Sequence, residues 1–220
     1  MTDLYRVRRW ALPLLALLAT ALLLTYGCSE ATEGDADPTA TISSDFGGRV
    51  LEERMVKPSF TLTDTSGEPF ELRGETKGYV TLLYFGYTFC PDICPSHMAD
   101  VAAVMDRNPD MKDHTKVVFV TVDPERDTPE RLRSWLDLFN EDFVGLTGTP
   151  EEIQEAVQAT FKDQAFEIVK TPTKSGYTVN HAAYVIPYSH DNVARVVWPF
   201  GTTQDICEND MLKLHSEGEH

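Results

Sequence analysis

VTLLYFGYTFCPDICPSHM, Val80 to Met98, is the stretch that decides the fold. Its first part, Val80 to Tyr87, is an unbroken apolar and aromatic run. Val80, Leu82, Leu83, Tyr84 and Phe85 give it the composition of a strand covered on both faces. The run stops at Cys90-Pro91-Asp92-Ile93-Cys94-Pro95, and the period then changes. Met98, Val101, Ala102 and Met105 recur at the three- and four-residue spacing of a helix. Two cysteines therefore stand where a central strand hands over to a helix N-terminus. Unpaired N–H groups and a partial positive charge favour thiolate over thiol there. The spacing is Cys-x-x-x-Cys, so one helical turn puts both sulfurs on one face, within reach of one metal ion or of each other. Two buried cysteines packing as small hydrophobes is the plainer account. The flanking prolines and the junction argue against it.

Working outward, Phe60–Asp64 and Pro69–Leu72 flank Thr65-Ser66-Gly67-Glu68 and predict an N-terminal β-hairpin. After the cysteine helix, which runs to about Arg107, Lys116–Val122 (KVVFVTV) reads as a second buried strand. Thr128-Pro129 and Thr149-Pro150 each pair an N-cap with a proline at the first helical position. Phe143–Leu146 is a short strand between those two helices. Phe166–Val169 and Tyr177–Val179 are expected to pair around Thr171-Pro172-Thr173. Ala182–Pro187 and Asn192–Trp198 predict a hairpin turning at Ser189-His190-Asp191, and Thr202–His215 a closing helix. The order predicts an α/β fold: a central mixed sheet flanked by helices.

Of the 220 residues, 42% are hydrophobic, enough for one sizeable core with appendages. Arg6, Arg8 and Arg9 precede the apolar run Ala11–Leu24, the pattern of a signal peptide or membrane anchor over residues 1–27. Gly27-Cys28 at its end makes Cys28 a candidate lipidation site, against an uncleaved anchor or simple cleavage. Residues 28–57, polar and acidic, read as a disordered tether. Residues 58–220 form the domain. The net charge of −16 argues against nucleic acid and against anionic headgroups as partners. With Cys28 lipidated, Cys90, Cys94 and Cys207 remain in an oxidising compartment. That odd number suits a reactive or metal-binding group better than a disulfide framework.

Phe85-Gly86-Tyr87-Thr88-Phe89-Cys90-Pro91-Asp92-Ile93-Cys94-Pro95, then Val122-Asp123-Pro124-Glu125-Arg126-Asp127-Thr128-Pro129, then Val179-Asn180-His181-Ala182-Ala183, closely resemble the Sco/SenC family. The resemblance runs from about Pro58 to the C-terminus. It implies a thioredoxin-like fold and a monomeric, membrane-tethered domain in the bacterial cell envelope. It implies copper, as Cu(I) or Cu(II), held by Cys90, Cys94 and His181. It further implies a role in assembling the copper centre of cytochrome c oxidase. The partner would be the copper-receiving oxidase subunit or another copper chaperone. The family often has His where this chain has Phe89, and usually Asp where it has Asn180. Neither change removes a ligand.

The residue chemistry stands beside this. Two thiolates and an imidazole suit Cu(I), although zinc accepts the same donors. The same pair, Cys90 and Cys94, can act as a redox dithiol, so the alternative is a thiol–disulfide oxidoreductase that reduces a partner's copper-ligand cysteines. A thiol peroxidase fits less well with a second cysteine only four residues away. His97, three residues after Cys94, is the local rival to His181, and a solvent or core role is expected for it. Asp123 is read as orienting a ligand or Arg126, and Asp127 as organising the turn and capping the next helix. His114, His215 and His220 read as exposed, His190 as a turn residue and Cys207 as a buried small residue.

Overall fold

The computed structural model describes residues 45–174 and 176–217. The segments read as signal or anchor, with Cys28, and as most of the tether lie outside these residues, as does His220. An eight-stranded mixed sheet forms the centre. Its strands are β1 (Arg49–Val56), β2 (Thr61–Asp64), β3 (Pro69–Glu71), β4 (Val80–Gly86), β5 (Thr115–Thr121), β6 (Val144–Thr147), β9 (Tyr184–Tyr188) and β10 (Val193–Pro199), in the order β1-β10-β9-β4-β5-β6-β2-β3. β7 (Lys170–Thr173) and β8 (Gly176–Val179) form a separate two-stranded ribbon. The helices are α1 (Leu72–Glu75), α2 (Ile93–Arg107), α3 (Pro109–Lys112), α4 (Pro129–Leu136), α5 (Pro150–Phe161) and α6 (Gln204–Ser216).

β4 is buried at every residue, as a strand with both faces covered must be. It pairs parallel with β5 from Val80↔Thr115 to Gly86↔Thr121, and antiparallel with β9 through Leu83↔Ile186. β5 pairs parallel with β6. The α/β reading is thus realised as a β4–α2–β5 unit, with α2 packed against α6. The two Thr-Pro signals work as read. Thr128 Oγ1 accepts from Arg131 N, and Thr149 forms a full capping box with Glu152.

Two expectations need correction. Residues 49–56 are not tether but β1, the edge strand on β10, with a register shift between Val50 and Met55. Glu52, Glu53 and Arg54 hid it, because edge strands carry charge that an interior strand cannot. Its start is fixed by the buried Asp210 on α6, which accepts from Gly47 N (2.7 Å), Gly48 N (3.0 Å) and Trp198 Nε1 (3.0 Å). Gly48 must be glycine here, since a Cβ would lie 2.7 Å from Trp198 and from Val196. The second correction concerns residues 166–173. Phe166–Val169 is not a strand, and the Thr171-Pro172-Thr173 segment read as a turn is itself in β7, where Pro172 pairs with Tyr177. A proline is tolerated because this ribbon has two free edges. Thr61–Asp64 pairs antiparallel with Pro69–Glu71, but β1, not this pair, is the first strand of the sheet.

Candidate metal centre

The cysteines lie beyond the C-terminal end of β4, where ligand sites of parallel sheets gather. Cys90 follows a turn closed by its own N–H to Tyr87 O (3.1 Å). The first turn of α2 then brings Cys94 N to 3.5 Å from Cys90 Sγ. Asp92, at the N-cap position, makes no side-chain cap bond, so the Cys90 sulfur takes up an N–H that a cap residue would satisfy. His181 follows β8 and returns to the same point. Its Nε2 is 3.9 Å from Cys90 Sγ and 3.6 Å from Cys94 Sγ. The three donor atoms lie within 4.8 Å of one another, and among the described residues no other trio of His, Cys, Asp or Glu is so arranged.

The electrostatics divide the two sulfurs. The neighbouring Cys94 thiol holds Cys90 well below the usual thiol range; His181 and the N–H groups of Cys94 and Asp92 reinforce it, against the cost of burial. Burial first, then the Cys90 charge, pushes Cys94 up. Cys90 is thus the thiolate and lies nearer the surface, whereas Cys94 is fully buried. Tyr84 Oη lies 3.6 Å from Cys94 Sγ and donates to it. Gly86 closes the floor, for a Cβ there would lie 2.9 Å from Cys94 Sγ and 2.6 Å from the Tyr84 ring. Tyr84 and Tyr87 set their rings edge-on to His181, at centroid distances of 6.0 and 5.7 Å. The His181 Nδ1 atom is buried without a hydrogen-bond partner, so the ring is aimed by packing and not by the usual second hydrogen bond. Two sulfurs and one imidazole nitrogen, shielded by tyrosines, fit a soft, low-coordinate ion.

Hydrogen bonds between remote segments support these three residues. Asp127 does organise the turn, but it does not cap α4; Thr128 does that. Fully buried, Asp127 accepts from Thr88 N (2.9 Å), Thr88 Oγ1 (2.6 Å) and Thr121 Oγ1 (2.7 Å), and so anchors the loop that carries Cys90. Asp123 binds Arg126, as read, and also accepts from Tyr177 Oη (2.9 Å), while Arg126 donates to Tyr177 O (3.1 Å) and stacks on that ring. This ties the β7–β8 ribbon, and hence His181, to the loop after β5. Asn180 adds a strap: its Oδ1 accepts from Val169 N and its Nδ2 donates to Glu167 O (2.7 Å). An aspartate could not make the second bond. Phe89 is 45% exposed, under the guanidinium groups of Arg131 (4.2 Å) and Arg126 (4.8 Å). His97 takes the core role, stacked against Tyr84 and Phe200 and outside the trio. Cys207 is buried, as read. An open depression of about 370 Å³, lined by Tyr87, Cys90, Ile93, Val179 and His181, leads to the centre.

Comparisons with known proteins place the chain in a family. The SCO1/SenC family model matches residues 49–216. An SCO2-like protein of Rickettsia prowazekii is 28% identical over 199 residues, covering 90% of this chain and 93% of that protein. Protein SenC of Rhodobacter capsulatus is 38% identical over 125 residues, 53% of this chain and 55% of that one. The structure of Bradyrhizobium japonicum ScoI with copper bound superposes with a TM-score of 0.63 at 30% identity, covering 72% of this chain and 99% of that one. With the family's span covering nearly the whole described domain and that neighbour sharing its thioredoxin-like sheet, this chain belongs to the SCO1/SenC family.

Proposed function

We propose that this chain is a copper chaperone. It binds one copper ion through Cys90, Cys94 and His181 and passes it on during assembly of the copper centre of cytochrome c oxidase. The observation that carries this reading is the meeting of both sulfurs with His181 Nε2, from segments 87 residues apart in sequence, at 3.6 and 3.9 Å. A redox dithiol needs no imidazole so placed. A neighbour with this fold has copper bound. Copper is cargo here, and the chain's own groups decide how it is held. The Cys90 thiolate and His181 face the open depression, so a receiving protein reaches the ion from their side. Cys94 stays at the back, against Tyr84. The segments N-terminal to the domain would hold it at a bacterial membrane. Mass spectrometry of the membrane-extracted protein would show a lipidated Cys28 or an intact N-terminus; a soluble chain beginning elsewhere would refute tethering.

The test is anaerobic titration of the reduced full chain with Cu(I) against a competing chelator. One equivalent should bind, and His181→Ala should weaken it at least tenfold, about 1.4 kcal/mol. Binding indifferent to His181 would overturn the three-ligand site.

The thiolate character of Cys90 beside a protonated Cys94 also favours a second reading, thiol–disulfide exchange. Cys90 would attack a partner disulfide and form a mixed disulfide. Cys94 would then displace the partner's second thiol, leaving Cys90–Cys94 oxidised and the partner reduced by two electrons. Reduction of a disulfide peptide by the metal-free protein, undiminished in His181→Ala, would favour this reading.

A further inference from the structure

A second cluster of imidazoles lies at the opposite edge of the sheet. His190, in the β9–β10 turn, and His215, in the last turn of α6, have ring centroids 5.5 Å apart, with planes at 69°. Two hydrogen bonds fix their tautomers. Thr115 Oγ1 donates its proton to Met111 O (2.8 Å), so it can only accept from His215 Nε2, 3.0 Å away. That places the His215 proton on Nε2 and leaves Nδ1 with a free lone pair. His190 Nδ1 lies 3.0 Å from Gly78 O, an acceptor, so its proton is on Nδ1 and Nε2 is free. Each ring therefore keeps one unshared lone pair, held by a backbone or side-chain oxygen behind it. That is the arrangement in which imidazoles ligate metals. Two imidazoles sharing a tetrahedral ion at ~2.0–2.1 Å have centroids roughly 5 Å apart, close to the spacing observed. His215 is half-buried, not exposed as its sequence position suggests, and His114, just before β5, is exposed. Burial, and then the charges of His190 and His114, hold the His215 imidazole below its ordinary range.

We propose that His190 and His215 form a second metal site, of two imidazoles, for a borderline divalent cation such as Cu²⁺ or Zn²⁺. Imidazole donors without thiolate or carboxylate favour these ions over Cu(I), Ca²⁺ or Mg²⁺. The site is separate from the cysteine centre. Gly78 and Thr115 stand at the N-terminal ends of β4 and β5, and the cysteines follow the C-terminal end of β4. The seven residues of β4 put about 20 Å between the two edges.

The experiment uses the full chain carrying Cys90→Ser and Cys94→Ser, so that neither outcome depends on the cysteine centre or on the copper-chaperone reading. Cu²⁺ is titrated against a weak competing chelator and followed by electron paramagnetic resonance. One equivalent with hyperfine structure from two imidazole nitrogens is expected. His190→Ala should weaken it at least tenfold, and adding His181→Ala should not change it. His190 lies in a turn, so the metal-free variant should melt with the parent, which separates a lost ligand from a lost fold. As a second measurement, Zn²⁺ should raise the melting temperature of this background but not that of its His190→Ala form. An oxygen-only spectrum, no competitive binding, or binding indifferent to His190 would overturn the site.

Discussion

Asp127 shows what single residues contribute to this centre. Its carboxylate accepts three hydrogen bonds with no accessible surface. Burial pushes its pKa up, and the bonds from Thr88 and Thr121 oppose this. Asp127→Ala would strand three donors, each unsatisfied group costing about 1–3 kcal/mol. A loss of roughly 2–4 kcal/mol is expected in urea unfolding, with weaker Cu(I) binding because the Cys90 loop loses its anchor. Unchanged stability would show that the three bonds contribute little. Tyr84→Phe is milder. It removes only the hydroxyl at 3.6 Å from Cys94 and should leave Cu(I) stoichiometry intact. Since that donor stabilises the reduced sulfur, the midpoint potential of the dithiol should fall, as measured by equilibration with glutathione. A potential equal to or above the parent's would rule that donor out as a tuning group.

At the scale of elements, the ribbon and the edge strand are each tied to the body by buried or half-buried polar side chains. The β7–β8 ribbon carries His181 and is joined to the body through Asp123–Arg126–Tyr177 and through the Asn180 strap. Asn180→Asp keeps the shape but turns a donor toward Glu167 O into an acceptor. Hydrogen exchange should quicken around Val169 and the ribbon, with stability lower by about 1 kcal/mol. Protection equal to the parent's would show that the strap is dispensable. The edge strand is fixed by Asp210. Asp210→Ala should free residues 47–48 and shift Trp198 fluorescence, because the indole N–H loses its acceptor. An unchanged spectrum and unchanged proteolysis at Gly47-Gly48 would refute that role.

The stability of the whole domain responds to a buried lysine. Lys57 is fully buried, and its Nζ donates to Thr76 Oγ1 (2.9 Å), Thr81 Oγ1 (3.0 Å) and Thr76 O (3.3 Å), with no carboxylate in ion-pair contact among the described residues. Burial, followed by the charge of Arg73, lowers its pKa to about 8 from 10.5. Between these values the unfolded chain binds more protons than the folded one, so this group's contribution to stability rises with pH. Relative to Lys57→Met, the parent should gain roughly 1–2 kcal/mol between pH 8 and 10, read from urea midpoints. A constant difference would mean that Lys57 keeps its ordinary pKa.

Much of this was legible in the chain itself, where local chemistry decides. The apolar run of β4, the period change into α2, the two Thr-Pro caps and the Cys-x-x-x-Cys spacing each act within a few residues, and each appears where it was read. His181 was named only through resemblance, because no local pattern marks a ligand 87 residues from its partner sulfur. Tertiary structure decided what depends on distant surfaces. It placed charged residues 49–56 in a sheet edge, a proline inside β7, and Asp127 under Thr88 instead of on a helix end. It also brought His190 and His215 together. Hydrogen bonds and burial between remote segments carry no sequence period, so only the folded chain sets them.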